Sequence, residues 1–263
     1  MSDLLLSFFL GLVQGLTEFL PISSSAHLLL PSLIFGSNDL GLPFDIAVHA
    51  GTLVAVIYFF RKELILMTKS IFTNDDRLIE HRKLATYLII ATIPVIFAGL
   101  IFSNIIQQRI FSISSIAISN LFFAVILLFA FLTRKSNKNL FQLTLYGALF
   151  IGIVQCFALI PGASRSGTAI TAALLIGMNL KDSSKFSFML GIPTILGALV
   201  LLIIEIQTLD ITYNSMNLFI GFFVSMIFAF FTIKLFLDFV EKIGMIPFVT
   251  YRIFLAALLF LFI

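Results

Sequence analysis

Residues 11–27 read GLVQGLTEFLPISSSAH and residues 152–168 read GIVQCFALIPGASRSGT, and the second stretch is a version of the first. Each is an apolar, helix-like run, then a proline, then a serine-rich turn. The glutamines Gln14 and Gln155 stand 155 − 14 = 141 apart and the prolines Pro21 and Pro161 stand 161 − 21 = 140 apart, so one register survives with a single-residue slip. Proline removes a helix donor and disfavours helix in the residue before it, which at Pro21 ends the arm at Leu20. The duplicated element is a broken helix.

Outward from these stretches the chain is apolar throughout. Of 263 residues 60% are hydrophobic and 11% charged, with a mean hydropathy of +1.14, more than a soluble core of this length could hide. The expected class is an all-α integral membrane protein. At roughly 20 apolar residues per crossing, six full spans are expected at about 43–60, 84–104, 113–133, 184–205, 216–237 and 248–263, with the two broken segments, 3–35 and 142–178, left over. Cytoplasmic loops retain positive charge. The loop after the first span carries Arg61, Lys62, Lys69, Arg77, Arg82 and Lys83, and Arg134, Lys135 and Lys138 fall on the same side. The opposite side has only Arg109, which puts both termini on the outer face. This works if each broken segment enters and leaves on one face, as a re-entrant hairpin followed by three spans. Residues 1–140 then form a first repeat and 141–263 a second of inverted topology, an architecture that builds sites from helix ends at the midplane. The simpler alternative makes residues 4–22 an ordinary span. The net charge of +3 belongs to the basic loops and suits anionic lipid headgroups rather than nucleic acid. One cysteine, Cys156, allows no internal disulfide. Asp3 in place of a basic start reads against a cleaved signal peptide.

Ionisable groups at membrane depth are costly, so each is a candidate for function. With the loop charges set aside, Glu18, His27, Asp45, His49 and Arg165 remain. Gln14 and Glu18, at i and i+4, point from one face. Ser23, Ser24 and Ser25 follow the first break, where a second half-helix begins with backbone N–H groups that attract anions. Ser24 and His27, three apart, share a face of that half-helix; the plainer alternative is a capped, kinked helix with a satisfied histidine. The second break offers Ser164, Arg165, Ser166, Gly167 and Thr168: small residues, hydroxyls and a guanidinium able to fork onto phosphate. Its plainer role is an ion pair with Glu18 or Asp45. Asp45 and His49, again i and i+4, read as a pair in which one orients the other; the plainer alternative is an interfacial helix end. Two helix N-termini, serines, a cation, a carboxylate and histidines describe an anion site with acid–base capacity, and phosphate is the natural guest. Spacing alone leaves open whether the phosphate is moved, bound or hydrolysed.

These residues resemble the bacterial undecaprenyl-diphosphate phosphatase family associated with bacitracin resistance. The matching segments are Gln14 to His27, Phe44-Asp45 with His49-Ala50-Gly51-Thr52, and Pro161 to Thr168, in the family's order along nearly the whole chain. The resemblance implies removal of the terminal phosphate of undecaprenyl diphosphate at the bacterial inner membrane, with the site opening towards the outer face. The lipid carrier is thereby recycled for peptidoglycan, and bacitracin competes for the substrate. It places Glu18, Ser24, His27 and Arg165 at catalytic positions, with Gln14, Ser23, Ser25, Ser164, Ser166, Gly167 and Thr168 around the substrate. Ser24 is read as nucleophile with Glu18 as its base and His27 orienting or donating a proton; His27 as nucleophile is the alternative. The resemblance leaves room for a homodimer and for a divalent cation, Mg²⁺ or Ca²⁺, at Glu18. The family's usual glutamate is Gln14 here and its usual glycine is Ala26, which puts a cation built on two carboxylates in doubt and makes the turn at Ala26 helical. The rival reading is an inverted-repeat transporter or flippase of a phosphorylated prenyl lipid.

Overall fold

The computed structural model describes residues 3–73, 75–102, 112–206 and 214–262. Among them the regular structure is helical, without a named strand. The first broken segment forms α1 (Asp3–Thr17) and α2 (Ser24–Phe35). After it come α3 (Gly41–Phe59), α4 (Arg61–Phe72), α5 (Ile79–Ile101) and α6 (Ile113–Thr133). The second broken segment forms α7 (Leu145–Gln155), extended by a 3₁₀ turn Cys156–Leu159, and α8 (Arg165–Leu175). The chain closes with α9 (Leu180–Ile206), α10 (Ser215–Ile243) and α11 (Ile246–Phe260).

Among the described residues five helices are long and apolar enough to cross a membrane: Gly41–Phe59, Asp76–Ile101, Ile113–Thr133, Leu180–Ile204 and Ser215–Ile243. The protein is a multi-pass membrane protein. The sixth span expected at 248–263 is α11, whose 15 residues rise about 22 Å against about 30 Å of hydrocarbon. α10 runs to Ile243, Gly244, at φ 71°, turns the chain, and α11 begins at Ile246. The expected 84–104 begins earlier, at Ile79, and residues 103–104, Arg109 and residues 207–213 lie outside the described residues.

Apolar side chains face outward as well as inward. Phe97, Phe129, Ile204 and Phe254 are exposed on the outside, while Ala91, Ala117, Ala124, Ala148, Ala172 and Ala173 are buried. In lipid, helices associate by close van der Waals fit, which small residues permit. α1 packs on α10 and α7 on α5; α3 packs on α10 and α9 on α5; α3 meets α9 and α6 meets α11. A Cβ on Gly15 would stand 2.7 Å from Ser225 O, and one on Gly152 would stand 2.8 Å from Ala91 Cα. No side chain larger than hydrogen fits at either contact.

Each broken segment is also tied at its ends. Asn38 Nδ2, after α2, donates to Asp3 Oδ1, at the start of α1, at 3.3 Å. Before α7, Lys138 N donates to Gly177 O at 3.0 Å, and Asn179 N, after α8, donates back to Lys138 O at 2.8 Å.

Candidate active site

α1 stops at Thr17, before proline demands it, and residues 18–22 turn towards Ser23. Ser23, at φ 72°, and Ser164, at φ 71°, occupy left-handed backbone that side chains avoid, at a cost of about 1–3 kcal/mol each. Each is the N-cap of the following half-helix, and each hydroxyl lies 3.2 Å from the hydroxyl two residues on, Ser25 and Ser166. The two breaks touch directly, for Ser166 Oγ donates to Leu20 O at 2.9 Å. The next residues, Ser24 and Arg165, are the first of α2 and α8, and both converge on one carboxylate.

That carboxylate is Glu18, 6% exposed. Its Oε2 accepts from Ser24 Oγ at 2.7 Å and from Gln14 Nε2 at 3.0 Å. Its Oε1 accepts from Arg165 Nη2 at 2.8 Å, and Arg165 Nη1 donates to Ser187 O at 3.2 Å. The ion pair with Glu18 that the sequence offered as the plainer role of Arg165 is therefore present. A guanidinium carries five N–H donors, so these two bonds do not exhaust it. His49 Nδ1 donates to the main-chain carbonyl of Asp45 at 2.7 Å, which aims Nε2 at Glu18 Oε2, 3.9 Å away. The backbone carbonyl of Asp45 thus orients His49.

Glu18, Ser23, Ser24, Ser25, His49, Ser164 and Arg165 line a cavity of about 220 Å³, closed on its other side by Val95, Ala158, Leu159, Thr194 and Ile195. It shares Ser25, His49, Ala158, Leu159, Ala198 and Leu202 with a larger cavity of about 390 Å³. The larger one is mostly apolar, with Leu10, Leu28, Leu29 and Phe44, and reaches Asn38, Asp39 and Asp45. A hydroxyl on its base, a cation and two helix N-termini around a chamber with an apolar annex can bind a phosphorylated lipid headgroup and attack it.

The remaining expected residues lie behind this lining. Gln14 is fully buried and serves Glu18. Gly167 N and Thr168 Oγ1 are spent on Ser164 Oγ and Arg165 O, which shape the start of α8. Ala26 is helical and buried. His27 has partners other than Ser24: its Nδ1 donates to Ser23 O at 2.7 Å, its Nε2 accepts from Tyr251 OH at 2.6 Å, and its ring stacks on Tyr251 at 5.6 Å. Neither cavity is lined by it.

Among the described residues no three His, Cys, Asp or Glu side chains converge on a metal-sized space. Both oxygens of Glu18, the sole carboxylate of the smaller cavity, already accept hydrogen bonds. The donor set does not fit a resident divalent cation.

Sequence reasoning missed Arg252. It sits on α11 with no exposed surface, and its signal was legible: a lone arginine inside the apolar run 246–262. The set of ionisable groups at membrane depth therefore gains a member.

The chain matches the family model described as bacitracin resistance protein BacA over residues 7–258. It is 45% identical to an undecaprenyl-diphosphatase of Saccharophagus degradans, covering 98% of this chain and 97% of that protein. It is also 44% identical to an undecaprenyl-diphosphatase of Alcanivorax borkumensis, over 95% and 96% of the two chains. An undecaprenyl-diphosphatase 1 of Pseudoalteromonas translucida is 41% identical over 96% of each.

Proposed function

The chain belongs to the bacitracin resistance protein BacA family, and from that premise we propose that it is a membrane phosphatase that hydrolyses undecaprenyl diphosphate to undecaprenyl phosphate and inorganic phosphate. The observation that carries the mechanism is the Ser24–Glu18–Arg165 cluster spanning the two breaks. The diphosphate enters the smaller cavity against the N-termini of α2 and α8, and its tail follows the apolar annex. Arg165 forks onto the terminal phosphoryl oxygens and offsets the charge that develops on them. Glu18 takes the proton of Ser24, whose Oγ attacks phosphorus while the bridging P–O bond breaks and undecaprenyl phosphate leaves with that bond's electrons. The departing undecaprenyl phosphate takes that proton from Glu18, which frees the carboxylate to deprotonate a water. The water oxygen attacks phosphorus, the Ser24 Oγ–P bond breaks, Ser24 recovers its proton from Glu18 and phosphate is released. His49 is the imidazole nearest Glu18, while His27 acts from outside the cavity by fixing the carbonyl of Ser23, one residue before the nucleophile.

The inverted-repeat reading is supported by two patterns. The segments before and after each pair of half-helices are hydrogen-bonded together, as re-entrant hairpins require. The contacts also survive exchange of the halves: α1 on α10 matches α7 on α5, and α3 on α10 matches α9 on α5. Orientation follows from α3. The larger cavity reaches Asn38 and Asp39 just before it, and the basic residues Arg61 and Lys62 lie just after its far end. With the basic end inward, the site opens to the outer face of the bacterial inner membrane. Bacitracin then competes there for the same lipid, and the recycled carrier serves peptidoglycan synthesis. A homodimer is compatible with this arrangement.

Phosphate release from undecaprenyl diphosphate in detergent tests the reading, with thermal unfolding as the check on folding. Release by the wild type that disappears in folded Ser24→Ala and Arg165→Ala is expected. A folded wild type that releases none, with or without added Mg²⁺ or Ca²⁺, points instead to a carrier that moves the lipid intact.

A further inference from the structure

We infer that Arg252 is a positioning residue that sets the two breaks, and hence Ser24 and Arg165, at one fixed distance from Glu18. Its guanidinium is fully buried. Nη1 donates to Pro21 O at 3.3 Å in the first break, and Nη2 donates to Gly162 O at 2.8 Å and Ala163 O at 3.2 Å in the second. Nε donates to Asn120 Oδ1 at 2.8 Å, and Asn120 Nδ2 returns a bond to Arg252 O at 3.0 Å.

Among the described residues every partner is a neutral oxygen and no carboxylate pairs with the charge. A buried charge held that way is costly, so plain packing does not account for it. What the breaks need does. Proline and the positive-φ serines end the helical ladders at these points, and the carbonyls stranded there must find donors. A planar guanidinium presents several donors in fixed directions, and here they span two segments that are 162 − 21 = 141 residues apart. Pro21 lies two residues before Ser23, and Ala163 one before Ser164, so Arg252 grips the chain just upstream of both left-handed caps. Gly167 makes room for it: a Cβ there would stand 3.2 Å from Arg252 Nη1. Ser119 on the same helix as Asn120 adds a bond to Pro161 O, so α6 and α11 together clamp the breaks.

The inference rests on the phosphatase reading for its kinetic arm and on structure alone for its second arm. In Arg252→Lys one ammonium replaces a fork that reaches both breaks. A misplacement near 1 Å costs about 100-fold in rate, so kcat is expected to fall about 10- to 100-fold while KM stays within about threefold, because Arg165 and the tail site still bind the lipid. Asn120→Ala, which keeps the charge but frees Nε, moves kcat the same way by a smaller factor, and it decides the question if Arg252→Lys does not fold. Hydrogen–deuterium exchange in the same detergent supplies the second arm: amides of 19–24 and 161–166 lose protection together in either variant. A folded variant with wild-type kcat and wild-type exchange at both breaks overturns the inference, as does faster exchange confined to α11. A wild type without turnover defeats the phosphatase reading and leaves the exchange arm to judge this one.

Discussion

The two breaks have nearly the same backbone and different chemistry. Ser23 and Ser164 share a left-handed φ, their hydroxyls sit at the same 3.2 Å from the next serine but one, and each first arm buries a glutamine, Gln14 or Gln155. One residue past the cap the first break carries Ser24 and the second Arg165. The first break also brings Glu18 and is, on the proposed mechanism, the acid–base half; the second has Leu159 in that region and is, on the same proposal, the anion-binding half. Even the glutamines part company, for Gln14 serves Glu18 while Gln155 Nε2 donates to Thr194 Oγ1 at 3.3 Å. A duplicated backbone device thus supplies two aimed positions, and the residue placed at each decides what it does.

The strongest test of this division of labour is Glu18→Gln, which keeps shape but removes the base and the partner of Arg165. Phosphate release is expected to fall by about 10³- to 10⁴-fold, and a loss under tenfold in folded protein would return Glu18 to a structural role. Next is Arg165→Lys, where one ammonium cannot fork. A drop of about 10²- to 10³-fold in kcat/KM is expected, and near-wild-type turnover would show that point charge is enough. The third prediction compares stability across the arms. Gly15→Leu and Gly152→Leu each force a side chain into a backbone contact and should cost about 1–3 kcal/mol in unfolding measurements; an effect in only one arm would break the equivalence of the two. The smallest effect separates the caps. Ser164 Oγ accepts from Gly167 N at 3.1 Å, whereas Ser23 makes no cap bond to α2. Ser164→Ala should therefore lower stability by about 1 kcal/mol more than Ser23→Ala.

Much of this was legible because it is local. Gln14 and Glu18 meet because i and i+4 neighbours on a helix must, and the breaks follow from proline and serine placement. Ser24 reaching Glu18 requires the chain to turn back over residues 18–23, and Arg165 reaching it requires two segments 165 − 18 = 147 residues apart to meet. The histidines show the same limit. His27 has the better local position, three residues from Ser24, yet the packing of α11 sets Tyr251 against it, and His49 on α3 takes the place beside Glu18. Arg252 is different: its charge in an apolar run was visible, and treating 248–263 as a plain span hid it.

The sequence by itself determined the membrane class, the two broken helices and the residue types at their tips, because apolar length, proline and spacing act through the nearest turns of chain. Only the tertiary structure decided that Ser24 and Arg165 share Glu18 and that His27 is paired with Tyr251. Those outcomes depend on how closely small residues let helices approach and on which side chain satisfies carbonyls that the breaks leave stranded. Both are properties of segments distant in sequence and adjacent in space.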